Sequence, residues 1–143
     1  MLQVIEHLPQ PQDAIDEAMR LLRKDGVLII STVQSYPIHD EPYDFFRYTV
    51  YGMKQLLLKH KHKSLEVISE GNIFVEIFQH LNVYLMLRIK SLVNNKYTLL
   101  IALPLLIIIL PITFLNNLIT YPLQFIDKKS KFGIINTLII KKI

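Results

Sequence analysis

The residues best equipped for chemistry fall within one short stretch. His39, Asp40, Glu41 and Asp44 bring an imidazole and three carboxylates close together in the chain, a set that could supply a general base or hold a hard cation. The spacing fits no metal-ligand motif, so no metal is expected and His39 is the candidate base. Arg47, between Phe46 and Tyr48, could clamp an anionic substrate; paired to Asp44 and stacked on its aromatic neighbours, it would serve structure equally well. Glu6 and His7 form a second pair, open both to a site role and to a hydrogen-bonding role at a helix entrance. His60 and His62, in Lys59-His60-Lys61-His62-Lys63, read as a solvated basic turn. The four glycines, Gly26, Gly52, Gly71 and Gly133, are too far apart for a phosphate-cradling loop. With no cysteine in the chain, thiolate nucleophiles, disulfides and cysteine-ligated metals are excluded.

These side chains need a frame. Residues 10–26 are punctuated as a helix, with Pro11 in the first turn, acids early, bases late and Gly26 at the end. Ile15, Ala18, Met19 and Leu22 make one apolar stripe along it. Val27-Leu28-Ile29-Ile30 is a continuous β-branched run that reads as a strand buried on both faces, the kind found in parallel sheets. Residues 1–5 have similar character, so the first thirty residues read as a strand, helix, strand crossover. The His39 loop, residues 34–48, then follows the carboxyl end of the second strand, where open α/β sheets bind ligands. Residues 49–59 read as a short helix capped by Thr49, residues 65–68 as a third strand, and Glu70-Gly71-Asn72 as a turn.

Beyond residue 72 the composition changes. The chain of 143 residues carries a net charge of +4, and this divides into −2 over residues 1–70 and +6 over residues 71–143, so the basic excess belongs to the apolar half. That pairing points to a membrane surface and away from nucleic acid, which would want its bases on a polar face. Residues 73–93 have apolar positions at helical spacing with Glu76, His80, Arg88 and Lys90 among them, an amphipathic pattern. Residues 97–126 contain no Asp, Glu, Lys, Arg or His, and a soluble core helix rarely looks like that. A strand-like run, residues 134–140, closes the chain. The organisation is therefore an α/β part over residues 1–71, an amphipathic helix over 72–96, a membrane-inserted segment over 97–126, and a basic turn with a final strand over 127–143. The first ten residues, with Glu6 and His7, do not resemble a signal peptide.

Several segments in order are similar to one family. Val4-Ile5-Glu6-His7-Leu8-Pro9, Leu21-Leu22-Arg23-Lys24-Asp25-Gly26-Val27-Leu28-Ile29-Ile30-Ser31-Thr32, Tyr36-Pro37-Ile38-His39 and Pro42-Tyr43-Asp44-Phe45-Phe46-Arg47-Tyr48-Thr49 with Gly52 resemble the second half of a class I S-adenosylmethionine-dependent methyltransferase. Within it the chain is similar to the methyltransferase-type-11 branch, often linked to cell-envelope glycan or lipid modification. The resemblance implies a partial Rossmann-like sheet: residues 1–5 as strand four, 27–30 as strand five, 65–68 as strand six and 134–140 as the antiparallel strand seven. It implies S-adenosylmethionine as cofactor, with a substrate oxygen, nitrogen or carbon attacking the sulfonium methyl in line. Glu6 and His7 are then expected near the cofactor, His39 as the base, and Asp44, Arg47 and Tyr48 on the substrate side. The family's glycine-rich loop and its acidic residue after strand two would both precede Met1. The expectation is thus a truncated enzyme completed by an N-terminal half, with the methyl acceptor unknown, or else an inactive remnant or membrane-anchored subunit.

The strand assignments also set a topology. If residues 65–68 and 134–140 share a sheet, both ends of the apolar insert lie on one side of a bilayer, expected to be the cytoplasmic side. Two helical legs cut from residues 97–126 would each reach roughly 22 Å, short of a hydrocarbon core of about 30 Å. The insert is therefore expected to dip in and return, bending at Pro104, Pro111 or Asn116-Asn117, with residues 73–93 along the interface. A single span near residues 98–118 is the competing expectation.

Overall fold

The computed structural model describes residues 1–126 and 132–143. They form two compact units: Met1–Glu70 with Gly133–Ile143, and Gly71–Phe132. The basic turn with Lys128, Lys129 and Lys131 lies outside the described residues.

The first unit is mixed α/β. Helix α1 spans Pro11–Leu21, strand β1 Val27–Val33, helix α2 Val50–Leu56, strand β2 His62–Glu70 and strand β3 Ile135–Lys142. The sheet order is β1-β3-β2, and both pairings are antiparallel. The expected pairing of the last strand with residues 65–68 is present, with Leu65 opposite Ile140 and Ile68 opposite Thr137. β3 alternates, so that Asn136, Leu138 and Ile140 all point into the covered side. There Ile5, Ile15, Met19, Ile30, Met53 and Leu57 complete the core around Leu138 and Ile140. Lys142 holds the end of α1 in place by donating from Nζ to the Met19 and Leu22 carbonyls at 2.7 and 2.6 Å, a cation where the helix dipole is negative.

Two expectations are corrected here. The run at residues 27–30 is covered on one face only: Leu28 and Ile30 are buried, while Val27 and Ile29 are 50% and 43% exposed. A continuous apolar run does not by itself reveal whether a second layer covers it. The expected strand over residues 1–5 contracts to a single parallel bridge, Leu2 with Ser31. Gln3 N donates to Ser31 O and Ser31 N to Met1 O, each at 2.9 Å. Gln3 then takes a positive φ of 53°, and Ile5–His7 winds into a 3-10 turn that drops Ile5 into the core.

The second unit is a helical pair. α3 covers Ile73–Val93, where the amphipathic pattern placed it, and Asn72 caps it by accepting from the Phe74 and Val75 amides at 3.1 and 3.0 Å. Gly71, at φ 101°, makes the left-handed turn before it. α4 covers Leu99–Leu123 as one continuous helix that includes Pro104, Pro111 and Pro122. The expected bend inside the apolar run is thus corrected: the return leg is α3, and the turn lies at residues 94–98. The two helices are antiparallel. Asn72 Nδ2 donates to Leu123 O at 3.0 Å at one end, Thr98 Oγ1 to Leu92 O at 2.7 Å at the other, and Asn82 pairs with Asn116 and Asn117 between them. α4 is long and apolar enough to cross a membrane.

Candidate functional site

The loop between β1 and α2 gathers the expected residues. Its two ends are tied by Asn136, fully buried on β3, whose Nδ2 donates to Gln34 Oε1 at 2.8 Å and to Tyr48 O at 3.0 Å. The Ser69 hydroxyl donates to Asn136 Oδ1 at 2.8 Å, so β2 joins the same network. The middle of the loop is fastened to the 3-10 turn, since the Phe45 and Phe46 amides both donate to the Glu6 carbonyl.

Within the loop, Asp44 is the organising charge. Its side chain is 1% exposed, and Arg47 grips it with two donors, Nη1 to Oδ1 at 2.6 Å and Nη2 to Oδ2 at 2.7 Å. The His39 amide adds a third donor at 2.8 Å. The guanidinium beside it holds the Asp44 carboxyl well below the usual carboxylate range, and the same pairing raises Arg47. The remaining donors of Arg47 reach the carbonyls of Tyr36, Pro37 and Phe46. Its fork is therefore engaged by its own loop.

His39 Nδ1 lies 3.1 Å from Pro37 O and 3.2 Å from Asp44 Oδ2. Arg47 Nη2 also approaches that nitrogen, but at 3.5 Å. The hydrogen bond to Pro37 O is the one that a proton on Nδ1 would make, and that tautomer leaves Nε2 as the acceptor. The His7 ring meets His39 edge-on at 4.8 Å, and its own Nδ1 donates to Tyr43 O at 2.7 Å. Tyr36 packs edge-on against the other side of His39 at 5.2 Å. An imidazole with a defined tautomer, oriented by a carboxylate and flanked by rings, can accept a proton at Nε2.

Beneath this group lies Glu6, fully buried. Thr32 Oγ1 donates to its Oε2 at 2.9 Å, while Oε1 is the one buried side-chain atom without a hydrogen-bond partner among the described residues. Burial first, and then the Glu6 charge, push the Tyr48 hydroxyl above its ordinary value. Asp40 sits at φ 53° in the turn before Asp44 and joins no ligand cluster among the described residues. His7, His39 and Asp44 do lie close enough to share a cation. The charge argues otherwise, because the Arg47 guanidinium paired with both Asp44 oxygens would stand beside any dication held there.

A shallow cavity of about 290 Å³ opens beside the network, lined by Tyr36, Ile38, Asp44, Phe45, Phe46 and Arg47. Ile38 and Tyr43 are exposed at 70% and 65% beside it. His60 is no free surface group: its Nε2 contacts Asp16 Oδ1 at 2.8 Å, and Lys59 pairs with the same carboxylate. The reading of sequence missed Asn136 and Thr32. Asn136 had a signal, being in phase with Leu138 and Ile140 on the buried side of an alternating strand.

Comparison of the chain with protein-family models, curated proteins and solved structures finds no match.

Proposed function

We propose that the α/β unit is the acceptor-side half of a class I S-adenosylmethionine-dependent methyltransferase, held at a membrane by its helical pair. The observation that carries this reading is the pairing of β2 and β3. Segments that the resemblance assigns to strands six and seven join antiparallel in one sheet across an insert of helices, as an interrupted methyltransferase domain would require. The loop after β1 adds support, since its His39 is oriented by Asp44 at the carboxyl end of the strand.

The cofactor fits this chain's residues only in part. Glu6 Oε1, buried and lacking a donor, is suited to the cofactor edge that the resemblance assigns to it. The glycine cradle is not among the residues: Gly26 would meet the Arg23 carbonyl if it bore a Cβ, Gly52 lies inside α2, Gly71 makes a turn, and Gly133 abuts Ser69. The cofactor cradle is therefore assigned to an N-terminal half. What this chain does itself is position. The Pro37 carbonyl holds His39 Nδ1 and Asp44 holds the His39 amide, His39 Nε2 removes the proton of the incoming acceptor, and the aromatic wall beside Arg47 receives the acceptor body. The half-exposed sheet face at Val27, Ile29 and Ile68 offers the partner half an apolar surface.

Titration with labelled S-adenosylmethionine tests this. The purified chain should bind weakly or not at all, and addition of an N-terminal methyltransferase half should restore binding. Micromolar binding by the chain alone would overturn the split assignment. Failure with every such half leaves the other reading, a membrane-anchored subunit without activity.

A further inference from the structure

The helical pair carries more than attachment. The exposed side of α4 is wholly apolar: Leu100, Ile101, Leu103, Ile107, Phe114 and Leu118 are all more than half exposed, while Ala102 and Thr113 are buried on the side that meets α3. A helix of that kind cannot lie in the interfacial plane, which needs one polar side facing water. That exposed side is therefore satisfied only by hydrocarbon. At about 1.5 Å per residue, the 25 residues of α4 and the 21 of α3 extend roughly 37 and 31 Å, against a hydrocarbon core of about 30 Å. Of the two, α4 alone is long and apolar enough to cross by itself; α3 has the length and, as its antiparallel neighbour, returns the chain.

The ends of the unit fix the number of crossings. Gly71 follows Glu70 and Phe132 precedes Gly133, and the backbones on either side are joined by Ile134 N donating to Glu70 O at 2.8 Å. Both ends thus lie on one side of any bilayer.

The polar groups are sorted accordingly. Between Ile77 and Leu87 α3 has no Asp, Glu, Lys or Arg, and its Asn82 amide is matched by Asn116 and Asn117 at 2.9 and 3.0 Å. Glu76 falls in the first turn of α3. At the turn of the hairpin Lys96 sits over Tyr97 at 5.0 Å, and in the second half of α3 Arg88 sits over Tyr84 at 5.2 Å with Nε donating to Tyr84 Oη at 3.1 Å. At the other end of α4, Tyr121 and Phe125 meet edge-on at 5.8 Å. Aromatic and basic groups at one end and an aromatic pair at the other match the two water interfaces of a bilayer.

We infer that α3 and α4 cross the bilayer together as an antiparallel hairpin, so that the turn at residues 94–98 emerges on the face opposite to Glu70 and Gly133. Arg88, Lys90 and Lys96 lie in the headgroup layer of that far face. The inference rests on the membrane-bound part of the reading above and is independent of methyl transfer.

The cysteine-free chain allows a direct test. Single variants Ser64→Cys, on β2, and Asn94→Cys, at the turn, are synthesised in the presence of sealed phosphatidylcholine–phosphatidylglycerol vesicles, floated, and treated with an impermeant maleimide. Ser64→Cys should label at once and Asn94→Cys only after detergent is added. Ser91→Cys, close to the turn on α3, repeats the test if Asn94→Cys fails to insert. Floating vesicles in which both positions label without detergent overturn the crossing and leave membrane attachment standing. A chain that does not float overturns both, while the methyltransferase assignment is decided separately by cofactor titration.

Discussion

His39 Nδ1 stands 3.2 Å from Asp44 Oδ2, and that same oxygen accepts from Arg47 Nη2 at 2.7 Å. One carboxylate therefore lies beside the imidazole and anchors the loop through the His39 amide and Arg47. The two duties separate by mutation. In an enzyme completed by its N-terminal half, His39→Ala should lower turnover about 100-fold or more with cofactor affinity nearly unchanged. Normal turnover would remove His39 from the mechanism. Circular dichroism distinguishes this from an unfolded loop, and His39→Gln keeps the bulk if alanine does not fold.

Asp44 should matter to stability more than His39 does. Its side chain is 1% exposed and its Arg47 partner 27%, so Asp44→Ala leaves a partly covered guanidinium without its counter-charge. Removing one member of a buried pair costs about 3–5 kcal/mol, and the exposure of Arg47 places this case near or below the lower end of that range. Urea unfolding followed by tryptophan-free near-ultraviolet tyrosine signal reads it. A loss under about 0.5 kcal/mol, the size of an ordinary surface change, would show that the pair does not organise the loop.

The same pair sets an acid limit. Arg47 depresses the Asp44 carboxyl, and Lys59, with Gln12 and His60, lowers Asp16 to about 2. A carboxyl depressed in the folded state contributes its full stability above its unfolded pKa, near 4, and loses it as pH falls through the folded value. The urea midpoint should consequently hold level against these two groups from neutrality to about pH 5, and fall between about pH 4 and 2. Arg47→Gln, which frees Asp44 from its counter-charge, should lower the midpoint at neutral pH and make the fall below about pH 4 shallower, because Asp44 then has little stability left to lose there. An unchanged steepness would show that Asp44 does not govern it.

Some of this was legible in sequence for local reasons. Asn72 and Thr49 are caps whose side chains accept from nearby amides, so α3 and the start of α2 could be placed from residue type alone. The elements that depend on distant contacts were less legible. Residues 1–5 have strand character, yet pair at one bridge because Gln3 turns away and Ile5 finds the core. Pro104 and Pro111 looked like bends, but a helix surrounded by apolar groups and clasped to a neighbour can retain its path without those amides. Arg47 illustrates the site's limit: its type and neighbours allowed clamp or brace, and only the positions of the Tyr36, Pro37 and Phe46 carbonyls reveal the brace.

Gly133 gives a test of the network behind the loop. A Cβ there would collide with the Ser69 hydroxyl, which donates to Asn136. Gly133→Ala should therefore turn Ser69 away and cost about 1 kcal/mol, the net worth of an ordinary hydrogen bond. In that background Ser69→Ala should cost little more, because the bond is already lost. Additive losses in urea unfolding would place the alanine's effect elsewhere.

The last prediction concerns the clasp between the helices. Asn82 uses both ends of its amide, donating from Nδ2 to Asn117 Oδ1 at 3.0 Å and accepting at Oδ1 from Asn116 Nδ2 at 2.9 Å. The polar side chains one turn away on α4, Thr113 and Thr120, already donate to the Leu110 and Asn116 carbonyls at 2.9 and 2.6 Å. Interhelical bonds of this kind in membranes average about 0.6 kcal/mol and reach about 1.7. Asn82→Ala removes two of them and should weaken the hairpin by about 1–3 kcal/mol, read as the loss of helical circular dichroism on titrating a denaturing detergent. Asn116→Ala and Asn117→Ala should each cost less than Asn82→Ala, since each removes one bond. Combined with Asn82→Ala, neither should add its full single-variant cost, because the shared partner is already gone. If all three losses simply add, the asparagines act independently, and the antiparallel register that joins position 82 to positions 116 and 117 is wrong.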